Sequence, residues 1–530
     1  MEERLLERLK SSNFATATDI LAKINLDFAQ CMSFAPDTKS LRTSVAKFIL
    51  SKLESLGCND QVEFSTTALN TLRITCRDKT VLSGIEIDNV ITTLFRYGQF
   101  LDQTEKNPEK LIIEAQKCLY NILHLSQSAN EFCAAHGILD GIFSRIKNHE
   151  EYCGEIQKLD FIILFFVTAK CPRTRSSIAV ETDYFAVLVK TLERLSYKNN
   201  FPKKRLTEEV DLICEILKLS FNGICNLNKK STDINDSTKR FAITLRDLLL
   251  IKNAPETLIS NVINAWTSMP ISTYDTLVEC CSTDAEKRIS FEGKDLTAIQ
   301  VILDFLQTRL DRCKLNENIS IRDEVSPVMM SLVQFCRHQR YVRKYCRSII
   351  LPPMTTEVLT LPEEGNSFRN HLCRLLTHVC MEVCKLSTEL LFVMCKERVS
   401  RFIKYTGYGN AAGKLAESGL LIPTNVKSEN YSSESEDSDT EEYDQLKADI
   451  NPVTGRVEEP REEVQMSDEQ KEYEAMKLVD EIDKLMRRGI ITPSVIGEDG
   501  RPQPAQHVSQ LLDNIDVGRR ARGENGNDSD

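Results

Sequence analysis

The sequence predicts an all-α protein built from stacked helix pairs, and three observations carry that reading. Apolar residues recur at helical spacing from residue 1 to about 420. No extended run shows the period-two alternation of a half-buried strand. A helical body of this length exceeds the usual size of one closed core, and stacking solves the problem because each pair buries only its neighbours. At about 40–47 residues per armadillo or HEAT unit, about nine units fit. The expected architecture is an armadillo/HEAT-like right-handed superhelical solenoid over 1–425, a disordered acidic linker over 426–466, a C-terminal accessory helix over 467–492 and a disordered tail over 493–530.

The opening stretch "MEERLLERLKSS" is charged and amphipathic, not a basic region followed by an apolar one, so no secretory signal is expected. In "KLIIEAQKCLYNILHLS", Ile113, Ala115, Cys118, Leu119 and Ile122 share a broad helical face. "LTEEVDLICEILKLSFNGI" and "SLVQFCRHQRYVRKYCRSII" read the same way, each as one helix. Polar loops at 196–204 and 226–240 punctuate them. The longest apolar run, Phe161 to Ala169, is too short to span a bilayer and is expected to be buried. A soluble, cytoplasmic protein without direct membrane insertion is therefore expected. The 18 cysteines are scattered among apolar residues, which suits reduced core thiols and not a disulfide scaffold.

Charge divides the chain. Residues 428–470 hold 15 acidic and 3 basic residues, a net of −12, which leaves +1 of the total −11 for everything else. Such a segment reads as solvated. After it, Ser467 and Gln470 form a capping box, and Met476, Val479, Ile482, Leu485 and Met486 make an apolar stripe. Lys484, Arg487 and Arg488 suit the C-terminal dipole of that helix, and Gly489 suits its end.

"YTGYGNAAGKLAESG", residues 405–419, invites comparison with a phosphate-binding loop. That motif needs four residues between its glycines and a hydroxyl after the lysine. Here five residues separate Gly407 from Gly413, three separate Gly409 from Gly413, and Leu415 occupies the hydroxyl position. A nucleotide-hydrolysing enzyme is disfavoured, and no catalytic constellation or cofactor is expected. "HLCRLLTHVCMEVC" places Cys373, Cys380 and Cys384 on one face of a continuous helix with His371 and His378 elsewhere, which suits core cysteines over a metal site.

Two features suit a protein-binding surface. Asn121, Asn222 and Asn264 interrupt apolar helical stretches, where asparagine is a poor helix former. Each is either a grip for a partner or a bond within its own scaffold. Arg73 and Arg77 stand four apart on one predicted helix face, and Arg337, Arg340, Lys344 and Arg347 make a stripe with Arg343 off its centre. Arginine forks carboxylates, so these sets suit an acidic partner. The competing reading is a solvated helix face. One short stripe beside an acidic tail is a poor nucleic-acid binder, and none is expected. In the tail, Ser433 precedes Glu436 and Ser438 precedes Glu441 by three, the pattern of an acidophilic kinase such as casein kinase II. Phosphates there would find arginines and lysines on the body.

"RFIKYTGYGNAAG" (401–413), "EEYDQLKADINPVTGRVEE" (441–459) and "EQKEYEAMKLV" (469–479) together resemble the synembryn family, also called resistance to inhibitors of cholinesterase. The similarity is strong over about 385–486 and weaker but collinear through the helical body. The resemblance implies a cytosolic, armadillo/HEAT-like monomer, also found at the cell cortex. It implies a guanine-nucleotide exchange factor and folding chaperone for heterotrimeric G-protein α subunits, GDP-bound and nucleotide-free. It implies that a concave groove captures the C-terminal helix of the α subunit, using Arg73, Arg77, Asn121, Phe221, Asn222, Asn264, Arg340, Arg343 and Lys344. Met476, Val479 and Ile482 are expected to add a docking stripe, and phosphorylation is implied at Ser433 and Ser438. The alternative is a helical-repeat adaptor without exchange activity.

Overall fold

The computed structural model describes residues 3–101, 106–179, 182–196, 203–225, 235–280, 288–316, 318–417, 440–458, 467–496 and 502–505. It divides into two compact units, 1–277 and 278–530.

In the first unit the helices Phe14–Asp27, Val62–Thr75, Glu109–Leu125, Gly154–Lys170, Lys203–Ile224 and Glu256–Trp266 pack one on the next, as successive rungs. Their starts lie 45 to 53 residues apart, at or a few residues above the length of an armadillo-type repeat. A second layer lies behind them: Lys39–Ser55, Ile87–Tyr97, Gln127–Ala135, Asp183–Ser196 and Asp236–Leu249. Local chemistry sets the helix starts. The side chains of Asn13, Ser126 and Asn235 each accept from a backbone N–H in the first turn. The core runs between the layers through Phe64, Leu72, Ile112, Leu119, Leu164, Val167, Ile216 and Leu219, all buried. The apolar run 161–169 lies inside a rung, and among the described residues no helix is long and apolar enough to cross a membrane.

Amides bind rung to rung, and a buried ion pair ties the helix Ile138–Lys147 to the rung Gly154–Lys170. Asn25 donates to the Thr67 carbonyl at 3.0 Å and accepts from the Thr71 hydroxyl at 2.8 Å. Gln116 donates to the Ile156 carbonyl at 3.2 Å and to Asp160 at 2.7 Å. Asp160 also receives Arg145, both almost wholly buried, through Nε at 3.0 Å and through Nη2. Arg145 Nη1 donates to the Gly98 and Gln99 carbonyls at 2.6 and 2.9 Å. Burial pushes the Asp160 carboxyl up, and Arg145 opposes the shift. Gly141 lets the Phe100 carbonyl lie where a Cβ would stand, 1.5 Å away.

The second unit opens with a small antiparallel sheet of residues 279–280, 294–295 and 290–291. Its two-residue turn, Glu292-Gly293, has φ of +49° and +75°, as a tight hairpin demands. Helix Thr297–Leu315 packs on Ile321–His338, which packs on Met381–Met394 and on Arg340–Ile350. Val399–Thr406 and Tyr408–Glu417 follow.

Four expectations need correction. The stretch 331–350 is not one helix: it breaks at Gln339, whose side chain caps the helix that begins at Arg340. The stretch 371–384 is not one helix either, because Phe368–Leu375 ends before Met381–Met394 begins. The expected linker 426–466 is folded over 440–458. There Glu441–Leu446 and the hairpin of 450–451 with 456–457 lie on the body. Tyr443 is buried with the Lys404 ammonium over its ring at 4.4 Å, and the Thr440 hydroxyl donates to the Met354 carbonyl. The expected disordered tail 493–530 also contains order, an antiparallel pairing of 494–496 with 502–504.

Candidate functional site

Viewed rung by rung, the first unit presents a continuous strip of partly exposed polar and aromatic side chains. Arg73 starts it on Val62–Thr75. Its Nη2 donates to Asn70 at 2.7 Å, and its Nε lies 3.4 Å from Glu114 on the next rung. Lys117, one turn on, lies 3.7 Å from Glu114 and 2.8 Å from Glu155 on the rung after that. These charges balance, so this part of the strip is not the purely cationic surface expected. Partly exposed pairs of this kind contribute little, about 0–1 kcal/mol each, so a partner's charges can replace them at small cost.

Next come Tyr120 and Asn121 on Glu109–Leu125. The Tyr120 ring lies 5.5 Å from Phe166, which meets His124 edge-on at 5.6 Å. Phe165 and Phe166 stay half-exposed because Gly154–Lys170 is apolar on nearly all sides and only part of it faces the core. Lys218 reaches over Phe165 at 6.0 Å, and Phe221 stands half-exposed one turn beyond Lys218.

The three asparagines separate by environment. Asn222 is 9% exposed and donates to the Phe165 carbonyl at 3.2 Å and the Thr168 hydroxyl at 2.9 Å. It is a rung-to-rung link like Asn25 and Gln116. Asn121 and Asn264 are half-exposed, and among the described residues neither side-chain amide has a hydrogen-bond partner. They can both donate and accept toward an incoming chain.

Arg77 departs from its expected place. The helix ends at Thr75, so Arg77 lies beyond it and not on one helix face with Arg73. Its Nη1 donates to the carbonyls of Phe28, Ala29 and Cys31, closing the end of the Phe14–Asp27 rung. Burial and the nearby Arg73 guanidinium pull its pKa below the ordinary value.

The basic stripe of the second unit is likewise dispersed. Arg343 is 6% exposed and donates to the Cys336 carbonyl at 2.8 Å, capping the end of Ile321–His338. Arg347 is buried. Lys344 pairs with Glu292 at 3.0 Å, and Arg337 pairs with Glu389 and, at 3.4 Å, Glu397. Arg340 is exposed at the first position of its helix. Burial would raise the Glu389 carboxyl, but Lys414 at 2.9 Å and Arg337 hold it below the usual carboxylate range.

The glycine-rich stretch has a structural occupant. Tyr408 and Gly409 N–H, at the start of helix Tyr408–Glu417, donate to the Pro452 and Val453 carbonyls at 2.8 Å each. Gly407 has φ +73°, and a Cβ there would lie 3.0 Å from the Thr454 backbone. The N–H groups a phosphate would need are therefore spent on the 450–457 hairpin.

Met476 is 62% exposed, and Val479 and Ile482 are half-exposed on Asp468–Arg487, which buries none of its residues. Ser433 and Ser438 lie outside the described residues. Reading the sequence did not single out Tyr120, Phe165, Phe166, Lys117 or Lys218. The signal for the two phenylalanines was present in "FIILFFVTA", which is too apolar all round for a helix with one buried side.

A family model described as guanine nucleotide exchange factor synembryn matches residues 68–501. Chaperone Ric-8A of Xenopus tropicalis is 34% identical over 534 residues, covering 96% of each chain. Chaperone Ric-8A of Gallus gallus is 35% identical over 92% of this chain and 93% of its own. Chaperone Ric-8 of Drosophila melanogaster is 33% identical over 97% and 98%. Among solved structures, one from work on a phosphorylation switch controlling the interaction between cadherin and beta-catenin aligns with TM-score 0.50 at 12% identity. It covers 81% of this chain and 72% of that one, a likeness of fold alone.

Proposed function

This chain belongs to the synembryn family of guanine nucleotide exchange factors, and we propose that its rung strip takes hold of the C-terminal helix of a heterotrimeric G-protein α subunit. The protein acts as an exchange factor and folding chaperone for such subunits. The observation that carries the capture reading is the pairing of unspent amides, Asn121 and Asn264, with half-exposed rings on consecutive rungs. A helix laid across that strip finds amides for its polar groups and flat apolar surface for its side chains.

Exchange needs no covalent step. The protein binds the nucleotide-free α subunit more tightly than the GDP-bound one, and that difference in affinity expels GDP. The same grip shields an unfilled α subunit from aggregation. Arg73 and Lys117 exchange Glu114 and Glu155 for acidic groups of the incoming helix, and Arg340 offers a further exposed cation. Arg77 and Asn222 support the strip from within; on the second unit Arg343 caps the end of Ile321–His338 and Lys344 pairs with Glu292 beside Arg340. The 468–487 helix supplies Met476, Val479 and Ile482 as a second apolar contact. In this reading an acidophilic kinase such as casein kinase II modifies Ser433 and Ser438, and the protein works as a monomer in the cytoplasm and at the cell cortex.

The test is the rate of GDP release from a purified α subunit with and without the protein. Acceleration that GTP reverses by dissociating the complex supports exchange. Binding with no acceleration would leave only the adaptor alternative.

A further inference from the structure

A cavity of about 210 Å³ opens beside the first rung, between Phe14–Asp27, Lys39–Ser55 and the end of Val62–Thr75. Leu5, Ile24, Phe28, Leu41, Val45 and Ile74 form its apolar wall. Apart from the Ser33 hydroxyl at the exposed mouth, the polar side chains that reach it are already bonded. Arg42 spends Nε on the Thr38 hydroxyl at 3.1 Å, Nη1 on Asp78 at 2.7 Å and Nη2 on the Ala35 carbonyl at 3.5 Å, and its plane lies over Phe34 at 4.5 Å. The Thr38 hydroxyl donates to the Ala35 carbonyl, the Thr75 hydroxyl to the Thr71 and Leu72 carbonyls, and the Cys31 thiol to the Ser33 carbonyl. Arg77 holds the Phe28, Ala29 and Cys31 carbonyls.

A buried water needs two to four polar partners, and this wall has few to give. A charged ligand would find its natural counter-ion, Arg42, neutralised by Asp78. Apolar cavities of roughly 150 Å³ accept benzene. We propose that this cavity is a binding site for a small, uncharged aromatic molecule of one or two rings. The mouth lies at exposed Ser33 and Ala35. The floor is the helix that carries Arg73, so an occupant braces the first part of the rung strip.

Fluorobenzene observed by ¹⁹F NMR tests this on the full chain. Saturable line broadening is expected with the wild type. Val45→Phe, which fills the cavity, and Ala35→Trp, which blocks the exposed mouth, should each weaken it at least tenfold. The second variant decides the matter if the first does not fold. Peptide mapping after thiol alkylation gives an independent readout: fluorobenzene should slow modification of Cys31 severalfold and leave the rate at the half-exposed Cys313 of the second unit unchanged. Absence of saturable broadening with the wild type, or broadening that survives in a folded variant, would overturn the proposal.

Discussion

Replacing Asn121 and Asn222 separately by alanine should separate partner contact from scaffold. Asn222 is buried, and its amide makes two bonds to the neighbouring rung, at 2.9 and 3.2 Å. Asn222→Ala strips both from a surface that water does not reach. Thr168 keeps its bond to the Leu164 carbonyl at 2.7 Å, which limits the damage. The cost is about 1–2 kcal/mol of stability. For a unit of 277 residues that is a fall in Tm of roughly 2–4 °C per kcal/mol. Asn121 makes no such bond, so Asn121→Ala should change stability by less than about 0.5 kcal/mol. If its amide serves the captured helix, the same change weakens binding by about 1–2 kcal/mol, roughly 5- to 30-fold in Kd. Thermal unfolding and fluorescence titration with a labelled peptide of the captured helix measure the two quantities on one preparation. Should Asn121→Ala lower Tm as much as Asn222→Ala and leave peptide affinity alone, the division of the asparagines by bonding is wrong.

Other consequences follow from particular contacts. Arg145→Met leaves the buried Asp160 with Gln116 as its remaining hydrogen-bond donor and should cost about 3–5 kcal/mol, read from the urea midpoint. Gly141→Ala places a methyl on the Phe100 carbonyl, so about 3 kcal/mol or more is expected in the same assay. Because the folded-state pKa of Glu389 is lowered, its contribution to stability is complete above its unfolded pKa and is lost as pH falls through the folded value. Glu389→Gln should therefore flatten the acid limb of a stability profile taken between about pH 7 and pH 3. Gly407→Val forces the 450–457 hairpin away, and limited proteolysis should then cut within 440–458, where the wild type resists.

The rungs were legible in the sequence because a helix that packs on one side must repeat its apolar residues near every third or fourth position. Asn121, Asn222 and Asn264 stood out as amides inside apolar helices, but which of them bond within the scaffold depends on the helix opposite; Phe221 carried no signal of its own and entered through the family resemblance. The basic residues misled. Spacing alone put Arg337, Arg340, Lys344 and Arg347 on one stripe with Arg343 off its centre, but a break at Gln339 leaves Arg337 on the preceding helix, which Arg343 turns inward to cap. Arg77 was misread similarly: an arginine just past a helix end reaches the carbonyls of another helix, and no local pattern announces which. Acidic composition hid the fold of 440–458, where Tyr443 and the Asn451–Gly455 turn outweigh the surrounding carboxylates. Gln116 and Asn25 escaped notice because a rung-to-rung bond depends on which helix lies opposite.

The most direct measurement is the affinity of a peptide carrying the C-terminal helix of an α subunit for the wild type and for an Asn121→Ala, Phe221→Ala double variant. Both should show the same circular dichroism spectrum and unfolding midpoint. A loss of at least tenfold in the variant, with slower GDP release from the intact α subunit, is the predicted result. Equal affinity in two equally folded proteins would contradict capture of that helix on the rung strip.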